Sequence, residues 1–236
     1  MVDGPRGWGA PLHTLVLSHL TPGEAVLDLG CGAGEFARAA VARGAVLTGV
    51  DSDPSAVAAA SALVPEARFL VGDAHDPPPG PFDVAVAVQL LAHVANPVVL
   101  LRAAARVAPL LVVTVWGREE ECDVRAFGEA LAPWLGPRRS PPGPPPLADP
   151  ARLRQVLGLA DLPVTALEEV VCPFDYSDDD AVLEPLFASG IGRHAVNRAG
   201  PAAVREAVLA RLAEYRLAGG GYRLANLFRV AVARSR

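Results

Sequence analysis

Through the first half of the chain, short apolar runs alternate with Ala-rich amphipathic stretches. The runs at 25–29, 45–50, 67–71, 82–88 and 110–116 are mostly Val, Leu and Ala with no polar alternation, as expected of strands buried on both faces. Between them, 34–43, 54–63 and 97–107 read as helices. Asp53-Pro54 supplies a capping acid followed by a proline suited to a first helical position. Strands alternating with helices in this way predict a parallel sheet covered by helices.

The second half is less regular. Residues 123–135 predict a helix, and Asp149-Pro150 opens another to about Leu159. Strands are predicted at 164–171 and 224–233. About fifty residues separate them, with two helical patterns at roughly 179–188 and 201–217, and a stretch that long between strands is usually functional. The segment 136–146 (GPRRSPPGPPP) predicts a rigid exposed loop rather than a helix or strand. No internal repeat is visible.

Bulk properties narrow the picture only slightly. A chain of 236 residues with 51% hydrophobic residues suffices for one large α/β domain, with or without an insertion. A net charge of −5 weighs against a nucleic-acid partner. Cys31, Cys122 and Cys172 are distant from one another, odd in number and not in a CxxC pair, so neither a disulfide framework nor a zinc site is expected. The N-terminus lacks the basic-then-apolar order of a signal peptide, and no apolar run approaches the ~20 residues of a membrane helix. The expectation is a cytoplasmic protein.

The most informative segment is Val26-Leu27-Asp28-Leu29-Gly30-Cys31-Gly32-Ala33-Gly34-Glu35, which runs strand, glycine turn, helix. Glycines at 30, 32 and 34 let the backbone pass close to a ligand, and the new helix aims free N–H groups at it. Any nucleotide-type site fits at this level. A dinucleotide fingerprint needs a third small residue where Glu35 stands. Asp28, two residues before the first glycine, would repel a pyrophosphate but can organise the loop and meet the ammonium of an amino-acid ligand. Asp51, about twenty residues further on, can read a ribose diol, which fits SAM (S-adenosylmethionine) or NAD.

VLDLGCGAG resembles motif I of the class I SAM-dependent methyltransferases. The resemblance implies a fold: a Rossmann-like seven-stranded, mostly parallel sheet with helices on both faces, an antiparallel last strand and a helical insertion before it. It also implies roles. S-adenosyl-L-methionine would contact Asp28, Gly30, Cys31, Gly32, Gly34, Asp51 and Ser52. In Gly72-Asp73-Ala74, Asp73 would accept the adenine amino group and the Ala74 backbone would meet the ring. Phe82-Asp83-Val84 through Gln89-Leu90-Leu91-Ala92-His93 resembles the fourth-strand motif of small-molecule members, placing Gln89 and Leu90 near the methionine portion. The family's usual turn before the fifth strand is shortened here to Ala108-Pro109. The second half resembles a bacterial branch of the superfamily more loosely, through Asp149-Pro150, Glu168-Glu169-Val170 and the ending Gly220-Gly221-Tyr222-Arg223.

On that basis the chain is expected to be a single domain over 1–236. Residues 1–23 form an N-terminal cap, 24–117 the SAM-binding core, and 173–221 a lid over the methyl acceptor. His93, just after the fourth strand, is the candidate base, because histidine titrates near neutral pH; a loop-packing histidine is the plainer reading of that position. His194, His13 and His19 are weaker candidates. Trp116, Tyr215 and Tyr222 are candidate pocket walls, each as well explained by a place in the core. Asp178-Asp179-Asp180 reads as a helix start rather than a metal cluster. Val-Gln-Leu-Leu at the end of the fourth strand weighs against methylation of adenine or glutamine amino groups, and no metal is expected. The leading reading is methyl transfer to a small molecule, at an O, N or C atom, with neither nucleic acid nor membrane as partner. The alternatives are a SAM-binding protein that does not methylate, an NAD-dependent enzyme and a macromolecule methyltransferase.

Overall fold

The computed structural model of the chain describes residues 4–136 and 146–235. In chain order its elements are α1 (Ala10–Leu17), β1 (Ala25–Leu29), α2 (Glu35–Ala42), β2 (Val46–Asp51), α3 (Pro54–Leu63), β3 (Arg68–Val71), β4 (Val84–Ala87), α4 (Pro97–Ala105), β5 (Leu110–Trp116), α5 (Arg125–Leu135), α6 (Pro150–Leu159), β6 (Val164–Tyr176), α7 (Asp179–Ala188), α8 (Gly190–Ala199), α9 (Pro201–Leu212) and β7 (Tyr222–Arg234). The strands form one seven-stranded sheet in the order β3-β2-β1-β4-β5-β7-β6. The β1–β2, β1–β4, β2–β3 and β4–β5 pairs are parallel. β7 runs antiparallel to β5, with Leu110 opposite Arg234 and Trp116 opposite Phe228. This is the expected Rossmann-like, mostly parallel sheet with a reversed last strand.

The local reasons are those the residues suggest. The Asp53 carboxylate accepts from the Ser55 N–H at 2.8 Å and Pro54 opens α3. Asn96 caps α4 and Asp149 caps α6 in the same way, each followed by a proline. Such caps are worth about 1 kcal/mol each. The expected boundaries shift in places. β4 is shorter than 82–88, and α4 ends before 107. The helix expected over 201–217 stops at Leu212 and finishes in a short 3-10 turn, Ala213–Tyr215. β6 runs five residues past 171, so residues 173–176, expected to begin the insertion, belong to a strand. The stretch between β6 and β7 holds three helices rather than two, α8 being the one not anticipated. Most of the Pro-rich loop, 137–145, lies outside the described residues.

The chain divides into two compact units. The first comprises residues 11–116, 146–170 and 228–235 among those described. Its core joins alternate residues of the strands (Leu27 and Leu29, Ala85 and Ala87, Leu111 and Val113, Ala231 and Ala233) to Leu100, Leu101 and Ala104 of α4 and Leu153, Val156 and Leu157 of α6. Period-two burial on strands thus meets helical spacing on α4 and α6.

The second unit comprises residues 4–10, 117–136 and 171–227 among those described. In it α5 packs on α8 and α9, and α7 on α8. Val182 and Leu186 of α7 and Val204, Val208 and Leu212 of α9 are fully buried. Polar ties join its elements. Arg211 of α9 reaches Glu129 of α5, and the Tyr222 hydroxyl donates to Asp179 at 2.6 Å. Asp178 caps α7 by accepting from the N–H groups of Asp180 and Ala181, so the triple acid is a helix start.

Candidate functional site

From the neighbouring strands β1 and β4 the chain proceeds in opposite directions, towards β2 and β3 on one side and β5 on the other. In open α/β sheets the ligand crevice lies outside the carboxyl ends of the strands at such a reversal. A cavity of about 530 Å³ is found there. It is lined by residues at or just past the ends of four strands: Gly30 after β1, Asp51 at the end of β2, Asp73 after β3 and Gln89 after β4.

Of the residues expected at the site, Gly30, Asp51, Ser52, Asp73, Ala74, Gln89, Leu90 and His93 line this cavity. Asp28, Cys31, Gly32 and Gly34 are not among its lining residues. Val88, Val94, Ala95 and His75, none of them given a role at the site from sequence, complete the wall.

The glycine bend is held by its own backbone. Gly30, Gly32 and Gly34 all have φ in the left-handed region, which side chains disfavour. The N–H groups of Gly30 and Cys31 donate to the Val50 carbonyl at 2.8 and 3.1 Å. The Gly32 N–H donates to Asp51 Oδ2 at 2.9 Å, and the Asp53 N–H to Asp51 Oδ1 at 3.0 Å. Asp51 therefore anchors the bend while each oxygen keeps a lone pair for a ligand. A Cβ on Gly30 would lie 2.6 Å from a methyl of Leu90, whereas one on Gly32 would meet nothing within 4 Å. Leu90 could swing aside, so the left-handed φ is what calls for glycine at both positions, and Gly32 also faces open space.

Beneath the bend, Asp28 is 1% exposed, and its Oδ2 has no hydrogen-bond partner. Burial, with a smaller contribution from the Asp51 charge, pushes its pKa up to about 8. At neutral pH it is largely the neutral acid rather than the carboxylate expected from sequence. Cys31 is buried, and its Sγ fills the space over Gly49, where a Cβ would come within 2.9 Å of it. Burial and the two nearby acids push the Cys31 thiol up to about 12, so this cysteine packs and does not react.

The wall after β4 is built differently. Gln89 has φ +57°, a conformation that costs a non-glycine residue energy and clusters at functional sites. The hydroxyl oxygen of Thr114, fully buried on β5, accepts from both the Gln89 N–H and Nε2 at 2.9 Å. Those bonds hold the strained residue. His93 ends a short 3-10 turn, Leu91–His93, with its side chain exposed at the cavity.

After β3, Asp73 Oδ1 accepts from the His75 N–H at 2.9 Å and faces the ring Nδ1 at 2.8 Å. These bonds hold the Asp73 carboxyl below the usual carboxylate range. His75 follows the Gly-Asp-Ala turn directly, and that adjacency was the signal available for it.

The other candidates lie elsewhere. His13 packs edge-on against Phe36, and burial pushes its pKa down. His19 faces Glu168 at 3.1 Å. Trp116 packs on Phe228 at 4.4 Å between ring centroids. Tyr215, Tyr222 and His194 belong to the second unit. Among the described residues no group of three or more His, Cys, Asp or Glu is placed to hold a metal, and no helix is long and apolar enough to cross a membrane.

Residues 27–109 match the family described as "Methyltransferase domain". A ubiquinone biosynthesis O-methyltransferase of Xanthomonas campestris is 34% identical over 118 residues, covering 44% of this chain and 48% of that protein. The chain thus spans about half the length of the curated relatives it matches. Among solved structures, the [4+2]-cyclase SpnF is 26% identical, with a TM-score of 0.59 over 95% of this chain and 80% of its own. The magnesium protoporphyrin IX methyltransferase of Synechocystis, solved with bound SAH (S-adenosylhomocysteine), is 16% identical, with a TM-score of 0.56 over 97% of this chain and 81% of its own. This last likeness is one of fold.

Proposed function

We propose that this chain, a member of the class I SAM-dependent methyltransferase superfamily through its matched domain, binds S-adenosyl-L-methionine in the cavity at the β1–β4 reversal and transfers its methyl group to a small-molecule acceptor. The observation that carries the reading is the placing of Asp51 and Asp73 at the tips of adjacent strands beside the glycine bend. Acceptor groups at these two points suit the two donor ends of an adenosine, its ribose diol and its exocyclic amine.

When bound, SAM supplies a methyl already activated by its sulfonium. The chain's residues then have to bind, orient and exclude water, and orientation alone is worth ~7–11 kcal/mol. Asp51 receives the ribose hydroxyls while keeping its bonds to the bend. Asp73 receives the adenine amine and the Ala74 backbone meets the ring. Gly32 leaves the bend open to the ligand, while Gly34 packs on Ala60 and Cys31 over Gly49 to hold its shape. Asp28 is given the role of organising the bend from within the core, as a buried neutral acid. Gln89 and Leu90 face the methionine portion and the transferring methyl.

Among O, N and C acceptors, oxygen is favoured by the O-methyltransferase relatives. A hydroxyl acceptor calls for a proton acceptor, a role we assign to His93. Residues 1–23 and the segment 173–221, whose first residues continue β6, are proposed as cap and acceptor lid of one domain. Exchanging 177–221 for the matching segment of a relative should change acceptor choice and leave SAM affinity nearly intact; a large loss of SAM binding would count against the lid. Neither nucleic acid nor membrane is proposed as partner, and the cytoplasm is the proposed location.

A second reading has one specific support. The likeness to a [4+2]-cyclase raises a SAM-type fold that serves a reaction other than methyl transfer. A labelled-methyl assay over a panel of hydroxylated metabolites separates the two: label enters an acceptor under the first reading, and SAM binds without any transfer under the second.

A further inference from the structure

His75 forms part of the cavity wall and has no role in the reading above. Its ring lies between two acceptors. Nδ1 is 2.8 Å from Asp73 Oδ1, and Nε2 is 3.3 Å from the backbone carbonyl of Asn96, the cap of α4. A carboxylate can only accept, so Nδ1 is the ring nitrogen that carries hydrogen and donates it to Asp73.

The consequence falls on Asp73. Its side chain is 70% exposed, so little packing fixes its orientation. One oxygen takes both His75 donors, the backbone N–H and Nδ1, which leaves Oδ2 as the oxygen available to a ligand. The same bonds favour the ionised form, and an ionised carboxylate accepts hydrogen bonds without donating any. An acceptor held in one orientation rewards a base that presents an amino group at that point. The approach of Nε2 to the Asn96 carbonyl sets the loop after β3 beside the start of α4, two segments that bound the same cavity.

We propose that His75 is a positioning residue which fixes the Asp73 carboxylate and thereby sets the preference of the cavity for a purine bearing a 6-amino group. This rests on the adenosyl reading of the cavity. Its test is calorimetric binding of two ligands to the full chain: S-adenosylhomocysteine, and its 6-deamino analogue in which hydrogen replaces the adenine amino group. The wild-type chain should prefer the amino ligand by about tenfold or more, as one hydrogen bond to a charged group allows. In His75→Ala the preference should fall to about threefold or less, because the deamino ligand binds almost as before while the amino ligand weakens. His75→Asn, whose amide nitrogen stands where Nδ1 does, should keep most of the preference.

Equal weakening of both ligands in His75→Ala would mean that the ring only supports the loop, and the proposal would fall. So would a His75→Ala chain that discriminates as well as wild type. A wild-type chain that takes up neither ligand overturns the adenosyl reading, and the role of His75 with it. A wild-type chain that binds both ligands equally tightly leaves adenosyl binding standing and removes the role of His75 alone.

Discussion

The two walls of the cavity are held in opposite ways. The wall made by the glycine bend and the end of β2 is tied by backbone: four N–H groups of residues 30, 31, 32 and 53 end on Val50 and Asp51. The wall after β4 is strained, with Gln89 at φ +57° held by a buried threonine and His93 exposed at its edge. A ligand portion that must always bind the same way suits the first wall. A reacting centre suits the second, where observed strain points to function. The difference teaches that binding and turnover should be separable by mutation, one wall at a time.

The largest effect is expected where the first wall meets the ligand. Asp51→Ala removes the acceptor for two ribose hydroxyls and the anchor of the Gly32 N–H. Two hydrogen bonds to a charged group predict about a thousandfold loss in S-adenosylhomocysteine affinity by calorimetry, in a chain that remains folded by circular dichroism. Affinity within a few-fold of wild type would break the comparison at its firmer side.

On the second wall, His93→Asn should lower kcat by about a hundredfold for a hydroxyl acceptor while leaving cofactor Kd unchanged. A matching fall in cofactor affinity would show that the walls do not divide the labour. Thr114→Val is milder. It removes the oxygen that Gln89 depends on with little change of volume, and should cost about tenfold in kcat with a loss of a few degrees in Tm. Unchanged turnover would mean that the strain at Gln89 has no part in the reaction.

Asp28→Asn should leave cofactor affinity least affected and act instead on stability. The folded pKa of Asp28 is raised from 3.8 to about 8. Folding therefore favours the protonated acid, and that contribution is complete below pH 3.8 and lost as pH rises to about 8. The asparagine chain cannot ionise there. Its Tm should match wild type in acid and exceed it by a few degrees at pH 9. A constant Tm difference across that range would contradict a neutral Asp28.

The two walls also differed in how far the sequence revealed them. The strand tips were legible because apolar runs end at Asp51, Val71 and Gln89, and a Gly-rich turn between strand and helix has few uses. The state of Asp28 was not legible. A carboxyl two residues before a glycine looks the same whether it faces a ligand or lies buried beside a second acid, and only three-dimensional burial decides which. His75 was passed over because its partners are a neighbour in the same turn and the Asn96 carbonyl, 21 residues away.

In the second unit, α7 was predicted over its full extent from its acidic start, and α8 was missed. Ser189 closes α7 and caps α8 at once, so no loop signal separates them. Gly190 and Gly192 read as breakers, yet a Cβ on Gly192 would collide with the Leu186 carbonyl, so close packing of the two helices explains that glycine.

The most direct test of the account is calorimetric titration of the wild-type chain with S-adenosylmethionine, S-adenosylhomocysteine and NAD. The account predicts saturable one-to-one binding of both adenosyl sulfur compounds, each displacing the other, and no comparable uptake of NAD. Binding of NAD alone, or of none of the three, would contradict it.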